Sequence, residues 1–236
     1  MRLSMLIKAR SMLTMSAENY KWVAPPRDFL KSNSSGSVKN QVGTSAYLIR
    51  DHDSEWVVAE FNPNPSKTNS RASEMTGMAN SLRKFIELKN INSPLRKKLG
   101  DKQCASIDRV KGVIIESDNI AVVESINGNF NFTSDLENKA FKLRELVKKV
   151  KELYGTCIVR QIKSEVNGVA QILSRMALNR DRTTLAKMGL DRDKTFINIG
   201  ELQKDFQQPV AERMELDKEG FEYPPGTKAK TKVMKW

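Results

Sequence analysis

The chain is poor in the residues that build most metal and redox chemistry. Its 236 residues include two cysteines and one histidine. Cys104 and Cys157 have no CxxC spacing and His52 stands alone, so neither a zinc site nor a disulfide framework can be assembled. Cys157 sits in the apolar run Thr156–Val159 and reads as a buried core thiol, which implies a reducing compartment. No hydrophobic run approaches membrane-spanning length, and no membrane partner is expected. Acidic residues are missing from both ends: none occurs before Glu18, and none lies in residues 227–236.

Positive charge is in excess. Forty Lys and Arg against 28 Asp and Glu give a net charge of +12 and a pI near 9.7. That balance is high for an enzyme of small metabolites and ordinary for a protein held against phosphate, so RNA is the expected partner. One group of cations includes Arg83, Lys84, Arg96, Lys97 and Lys98; Pro94 is expected to stop the preceding helix and present the last three on a projecting loop. A second group is the terminal run with Lys228, Lys230, Lys232, Lys235 and Trp236, too polar to fold alone, whose Trp could stack on a base. Lys142, Lys148, Lys149 and Lys151 lie on one helix face, where solvation alone explains them. The first 16 residues mix Arg, Lys, Ser and apolar side chains like an organellar transit peptide. The mitochondrial matrix is the expected location, with plastid or nucleus as alternatives and a docked amphipathic helix as the competing reading.

The pattern predicts a mixed α/β domain. Strands are expected over Phe29–Asn33, Thr44–Arg50 and Glu55–Phe61, the first broken by a Ser-Ser-Gly-Ser loop and the last two joined by the polar turn Asp51–Ser54. Pro63 and Pro65 should end the third strand. Helical spacing of Met75, Met78, Leu82 and Phe85 marks a helix over Ala72–Leu88, and Val113–Ile115 suits a central strand with Asp118 projecting from its C-terminal end. Ser134–Glu137 reads as a capping box opening a helix that Gly155 ends. A fifth strand, Thr156–Ile162, precedes a last helix over Glu165–Leu178.

Four segments, in this order, carry a family resemblance: Lys31-Ser-Asn-Ser-Ser35-Gly-Ser, Ser73-Glu74, Glu116-Ser-Asp118-Asn and Glu165-Val-Asn167-Gly-Val-Ala-Gln171-Ile-Leu. Together with Tyr47-Leu-Ile-Arg-Asp51, they resemble the reverse-transcriptase-like ribonuclease H family abundant in plants. The resemblance covers about Pro25 to Leu178. It implies a ribonuclease H-like five-stranded mixed sheet flanked by helices, with an N-terminal extension over 1–24 and a basic tail over 179–236.

The family's hydrolysis is implied to use two divalent ions about 4 Å apart, held by four carboxylates. Two of these are absent, because the motif's Asp positions are Ser35 and Gln171. Glu74 and Asp118 remain as candidate ligands, with room for at most one magnesium ion. Competing structural roles are dipole pairing for Glu74 and an N-cap for Asp118. Glu116, two residues from Asp118, could share its face and replace a lost group; Asp51 and Asp53 read as turn chemistry. The expectation is a catalytically degenerate domain without a cofactor, serving as an RNA-binding structural component of a ribonucleoprotein. Its partners would be structured rRNA and neighbouring proteins, as in an organellar ribosome. The alternative is an active magnesium-dependent ribonuclease H acting on RNA in RNA-DNA hybrids.

Overall fold

The computed structural model describes residues 20–133, 135–178, 195–202 and 204–227. The strands are β1 (Phe29–Lys39), β2 (Val42–Arg50), β3 (Trp56–Lys67), β4 (Gly112–Ser117), β5 (Thr156–Gln161) and β6 (Thr195–Phe196). They form one six-stranded sheet in the order β5-β4-β1-β2-β3-β6. β1, β2 and β3 run as an antiparallel meander, whereas β4 lies parallel to both β1 and β5. The helices are α1 (Ser70–Lys89), α2 (Pro94–Lys98), α3 (Asp101–Asp108), α4 (Ile120–Asn127), α5 (Asp135–Tyr154), α6 (Gly168–Leu178) and α7 (Lys204–Lys218). This is a ribonuclease H-like fold, with a sixth strand added to the expected five.

Apolar alternation along the strands divides the core. On one face Leu30, Tyr47, Ile49, Val113 and Ile115 meet Met78, Leu82 and Phe85 of α1 and Leu143 and Val150 of α5. On the other, Ala46, Leu48 and Trp56 meet Val169, Ile172 and Leu173 of α6. β4 is buried along its whole length, as a central strand covered on both faces should be.

Three expected boundaries move. β1 does not break after Asn33: Ser35, Gly36 and Ser37 pair with Ala46, Ser45 and Thr44, because the register of the meander overrides poor strand propensity. β3 likewise continues through its prolines. β6 pairs only with Ala59 and Glu60, so the later part of β3 is a sheet edge, and Pro65 falls where the register shifts between Asn64 and Lys67. The helix expected over Glu165–Leu178, α6, starts at Gly168, not Glu165, after a turn in which Asn167 N–H donates to the Ser164 carbonyl (3.2 Å), and α7 follows it. Ser134 lies outside the described residues; Gly155 ends α5 at φ 79° as expected.

The tail expected from residue 179 onward is in part folded. Phe196 stacks on Phe61 at 5.1 Å and accepts a hydrogen bond at its carbonyl from Trp56 Nε1 (3.1 Å), while Leu202 and Val210 are buried beside α6. Residues 20–24 join this layer: Tyr223 N–H donates to the Tyr20 carbonyl, and Trp22 is buried. Lys31 and Asn33 of the first motif anchor it. Asn33 Oδ1 accepts from Trp22 Nε1 (2.9 Å) and Arg50 Nη2 (3.0 Å), and Asn33 Nδ2 donates to Glu116 Oε2 (2.9 Å). Arg50 in turn pairs with Asp217 of α7 at 2.7 Å.

Candidate functional site

The position of Glu74 follows from a missing side chain. A Cβ on Gly36 would lie 2.4 Å from the Glu74 backbone nitrogen, so only glycine lets β1 pass this close to the first turns of α1. Asn69 caps that helix, accepting from Ala72 N–H at 2.8 Å. Glu74 is thereby buried against the strand ends, accepting from Gly36 N–H and from Ser117 Oγ (3.4 Å). Burial, followed by the nearby Asp118 carboxylate, raises its pKa well above the usual carboxylate range.

Asp118 follows the last residue of β4 and turns toward α6. Asn167 Nδ2 donates to its Oδ1 at 2.9 Å, and Gln171 Nε2 donates to its Oδ2 at 2.8 Å. Both amides are fixed by second partners. Asn167 Nδ2 also reaches the Ser34 carbonyl (2.8 Å) and Gln171 Nε2 the Ser164 carbonyl (2.9 Å), while Gln171 Oε1 accepts from Arg175 Nη2 (3.2 Å). An amide nitrogen thus faces each oxygen of Asp118, and the Gln171 oxygen points away toward a guanidinium. Ser35 is buried and its hydroxyl meets Ser174 Oγ at 3.5 Å; Ser174 also contacts Ser37 Oγ at 2.8 Å.

The structure brings Glu74, Asp118 and Gln171 to one end of the sheet but gives them a donor set unlike that of a two-ion site. Two divalent cations need several anionic oxygens. Here Asp118 is engaged by neutral N–H donors, Gln171 presents nitrogen rather than oxygen, and Ser35 faces a serine. The residues do not fit a pair of divalent ions.

Other assignments change. Asp118 is not an N-cap: Asn119 caps α4, accepting from Val122 N–H at 3.3 Å. Glu116 does not substitute for a lost carboxylate, being buried between Lys31 (2.8 Å) and Arg160 (2.6 Å). Burial alone would raise its pKa, but those two cations hold it below the usual range. Asp51 serves the turn as expected, accepting from the N–H groups of Asp53 and Glu55 at 3.0 Å each. Asn167, visible in the last motif, gave no sequence signal of its bond to Asp118.

Among the expected RNA contacts, Lys84 is tied to Glu87 (2.7 Å) and the Thr195 hydroxyl (3.1 Å), and Arg83 is exposed beside Asn80. Arg96 is a correction. Pro94 opens a helix rather than stopping one, with Ser93 as its cap, and Arg96 turns inward. Its Nη2 grips both Asp108 oxygens (2.9 and 3.0 Å) and its Nη1 reaches the Cys104 carbonyl (3.1 Å). Lys97 and Lys98 are exposed. Lys228, Lys230, Lys232, Lys235 and Trp236 lie outside the described residues.

No protein-family model and no curated protein matches the chain. Solved structures do. LC11-RNase H1, isolated from compost by a metagenomic approach and solved in complex with an RNA/DNA hybrid, is 14% identical. The match covers 64% of this chain and 96% of that one, with a TM-score of 0.50. RNase H1 from the halophilic archaeon Halobacterium salinarum is 10% identical, over 64% of this chain and 98% of that one, with a TM-score of 0.48. At 14% identity the likeness to LC11-RNase H1 shows the fold alone.

Proposed function

We propose that this chain is a catalytically degenerate ribonuclease H-like protein that binds RNA as a structural component of a ribonucleoprotein. The observation that carries the reading is the amide pair on Asp118, with Nε2 of Gln171 and Nδ2 of Asn167 at 2.8 and 2.9 Å. An amide N–H at each carboxylate oxygen supplies the electropositive partner that a metal ion would otherwise supply. It joins the end of β4 to α6 without an ion. In such a protein the fold provides shape and the cations provide phosphate contacts, so recognition would discriminate little between sequences.

The setting proposed is an organellar ribonucleoprotein such as a mitochondrial ribosome, with rRNA and neighbouring proteins as partners. The basic, acid-free N-terminal segment and the Lys-rich terminal run support it. Incubation of the full chain with an RNA/DNA hybrid in magnesium or manganese should give no cleavage. Metal-dependent cleavage that Asp118→Asn abolishes would establish the alternative, an active ribonuclease H using Glu74 and Asp118. Purification of the native protein should bring down ribosome-sized particles; recovery of the chain free of RNA would overturn the ribonucleoprotein setting.

A further inference from the structure

The positive charge of the fold is concentrated in one segment. Residues 89–111 hold seven Lys or Arg against Asp101 and Asp108, whereas the remaining described residues hold 21 Lys or Arg and 22 Asp or Glu. Apart from this segment, the described fold is close to neutral.

The segment's cations divide into two sets. Lys89 and Arg96 turn inward and build it. Lys89 Nζ lies 3.2 to 3.5 Å from the carbonyls of Ile107, Asp108 and Val110, capping the C-terminus of α3, and 4.7 Å from the Tyr154 ring. Arg96 neutralises Asp108 and ties α2 to α3. Lys97, Lys98, Lys102 and Arg109 turn outward and are exposed, with no ion pair among the described residues. Lys111 adds a fifth, loosely paired with exposed Asp28 at 3.4 Å. The outward cations therefore stand on a braced two-helix platform instead of a flexible loop.

The platform's place in the fold is the second observation. Residue 111 leads directly into β4, whose far end carries Asp118, so the length of β4, about 20 Å, separates the two. The cationic surface and the degenerate carboxylate site lie at opposite ends of the sheet.

We infer that residues 97–111 grip the phosphate backbone of duplex RNA at the end of the sheet remote from Asp118. This rests on the RNA-binding reading above and adds where, and in what form, the RNA is held. The segment has no aromatic residue, so it offers no stacking platform for unpaired bases. Within residues 89–111 the one exposed large apolar side chain is Ile91, too little for insertion into a lipid surface or for the apolar centre of a protein interface. Regularly spaced phosphates match what remains.

The test is binding of the full chain to a duplex RNA of about 20 base pairs, followed by anisotropy between about 50 and about 200 mM salt. Lys97→Gln, Lys98→Gln, Lys102→Gln and Arg109→Gln are combined, and an unchanged melting temperature checks that the fold survives. The combined variant should bind at least about tenfold more weakly at low salt, and its log-log salt slope should be shallower by about 3. Lys142→Gln, Lys148→Gln and Lys149→Gln, combined on α5, should leave the slope unchanged. Equal slopes for the wild type and the 97–109 variant would overturn the inference while leaving RNA binding in place. Equal losses in both variants would overturn it as well, since general charge and not this platform would then be responsible. A wild-type chain that ignores duplex RNA at every salt concentration, or prefers single strands or anionic vesicles, would sink the inference; only the failure to bind any RNA would also sink the reading beneath it.

Discussion

Gln171→Asp returns a carboxylate to the place the family's motif gives it, and in the absence of metal it should destabilise the protein. Gln171 Nε2 donates to Asp118 Oδ2 at 2.8 Å and to the Ser164 carbonyl at 2.9 Å, and the residue is only 8% exposed. Losing a donor to a charged acceptor costs about 1.5–3 kcal/mol, and losing one to a carbonyl costs about 1 kcal/mol. The new charge also faces Asp118, and like charges about 4 Å apart repel by as much as about 4 kcal/mol at an effective dielectric of about 20. Proton uptake and withdrawal of the shorter side chain relieve part of this, leaving a net loss of about 3–5 kcal/mol. At roughly 2–4 °C per kcal/mol for a chain of this size, the melting temperature should fall by roughly 10 °C in chelator near neutral pH. Calorimetry in chelator and then in magnesium measures it. Part of the loss should return in magnesium, because an ion that binds only the folded state stabilises it. The wild type should not respond to magnesium. A Gln171→Asp protein as stable as wild type in chelator, or a wild type stabilised by magnesium, would refute the claim that amides have taken over the ion's place.

Glu74→Gln should stabilise the fold increasingly as pH rises above about 4.3. The folded-state pKa of Glu74 is raised above its unfolded value, so the wild type loses stability through that window whereas the amide does not; denaturation midpoints at several pH values check this. Arg96→Gln should cost about 1–2 kcal/mol of stability, read as a lower urea midpoint, because it unties α2 from α3, whereas Lys97→Gln and Lys98→Gln should each stay within about 0.5 kcal/mol. Deleting residues 227–236, which carry four Lys, should make the salt slope of RNA binding shallower by roughly 3 while leaving the melting temperature in place. An unchanged slope would assign that run to a protein partner.

The fold was legible where local pattern and tertiary structure agree. Met75, Met78, Leu82 and Phe85 recur at helical spacing and do face one core, and the apolar run Val113–Ile115 is the buried centre of the sheet. It was illegible where distant pairing overrides local preference. Ser35, Gly36 and Ser37 are poor strand formers, yet they extend β1 because β2 supplies a partner for each. The folded part of the C-terminal segment is illegible in the sequence for a related reason. Phe196, Leu202, Val210 and Tyr223 are too widely spaced to announce a core element, and their burial depends on a sheet face and a Trp22 contributed from elsewhere in the chain.

The site shows a different limit. Ser35 and Gln171 can be read from sequence as missing carboxylates, but absence of a ligand does not specify what replaces it. That depends on side-chain direction after Ser117, where the chain leaves β4 and the strand's period of two ceases to apply. Glu116, still within the strand, is held by Lys31 and Arg160; Asp118, just beyond it, is free to turn to α6 and meet Asn167 and Gln171. A charge left at the end of β4 without an ion needs donors. Gln171 serves because it is one methylene longer than Asp and carries N–H groups, so the same backbone position that would present an oxygen to a metal presents a proton to the remaining carboxylate. Under the proposed reading, the amide at 171 is a bridge that does without an ion, tying Asp118 at the end of β4 to α6 through a direct hydrogen bond.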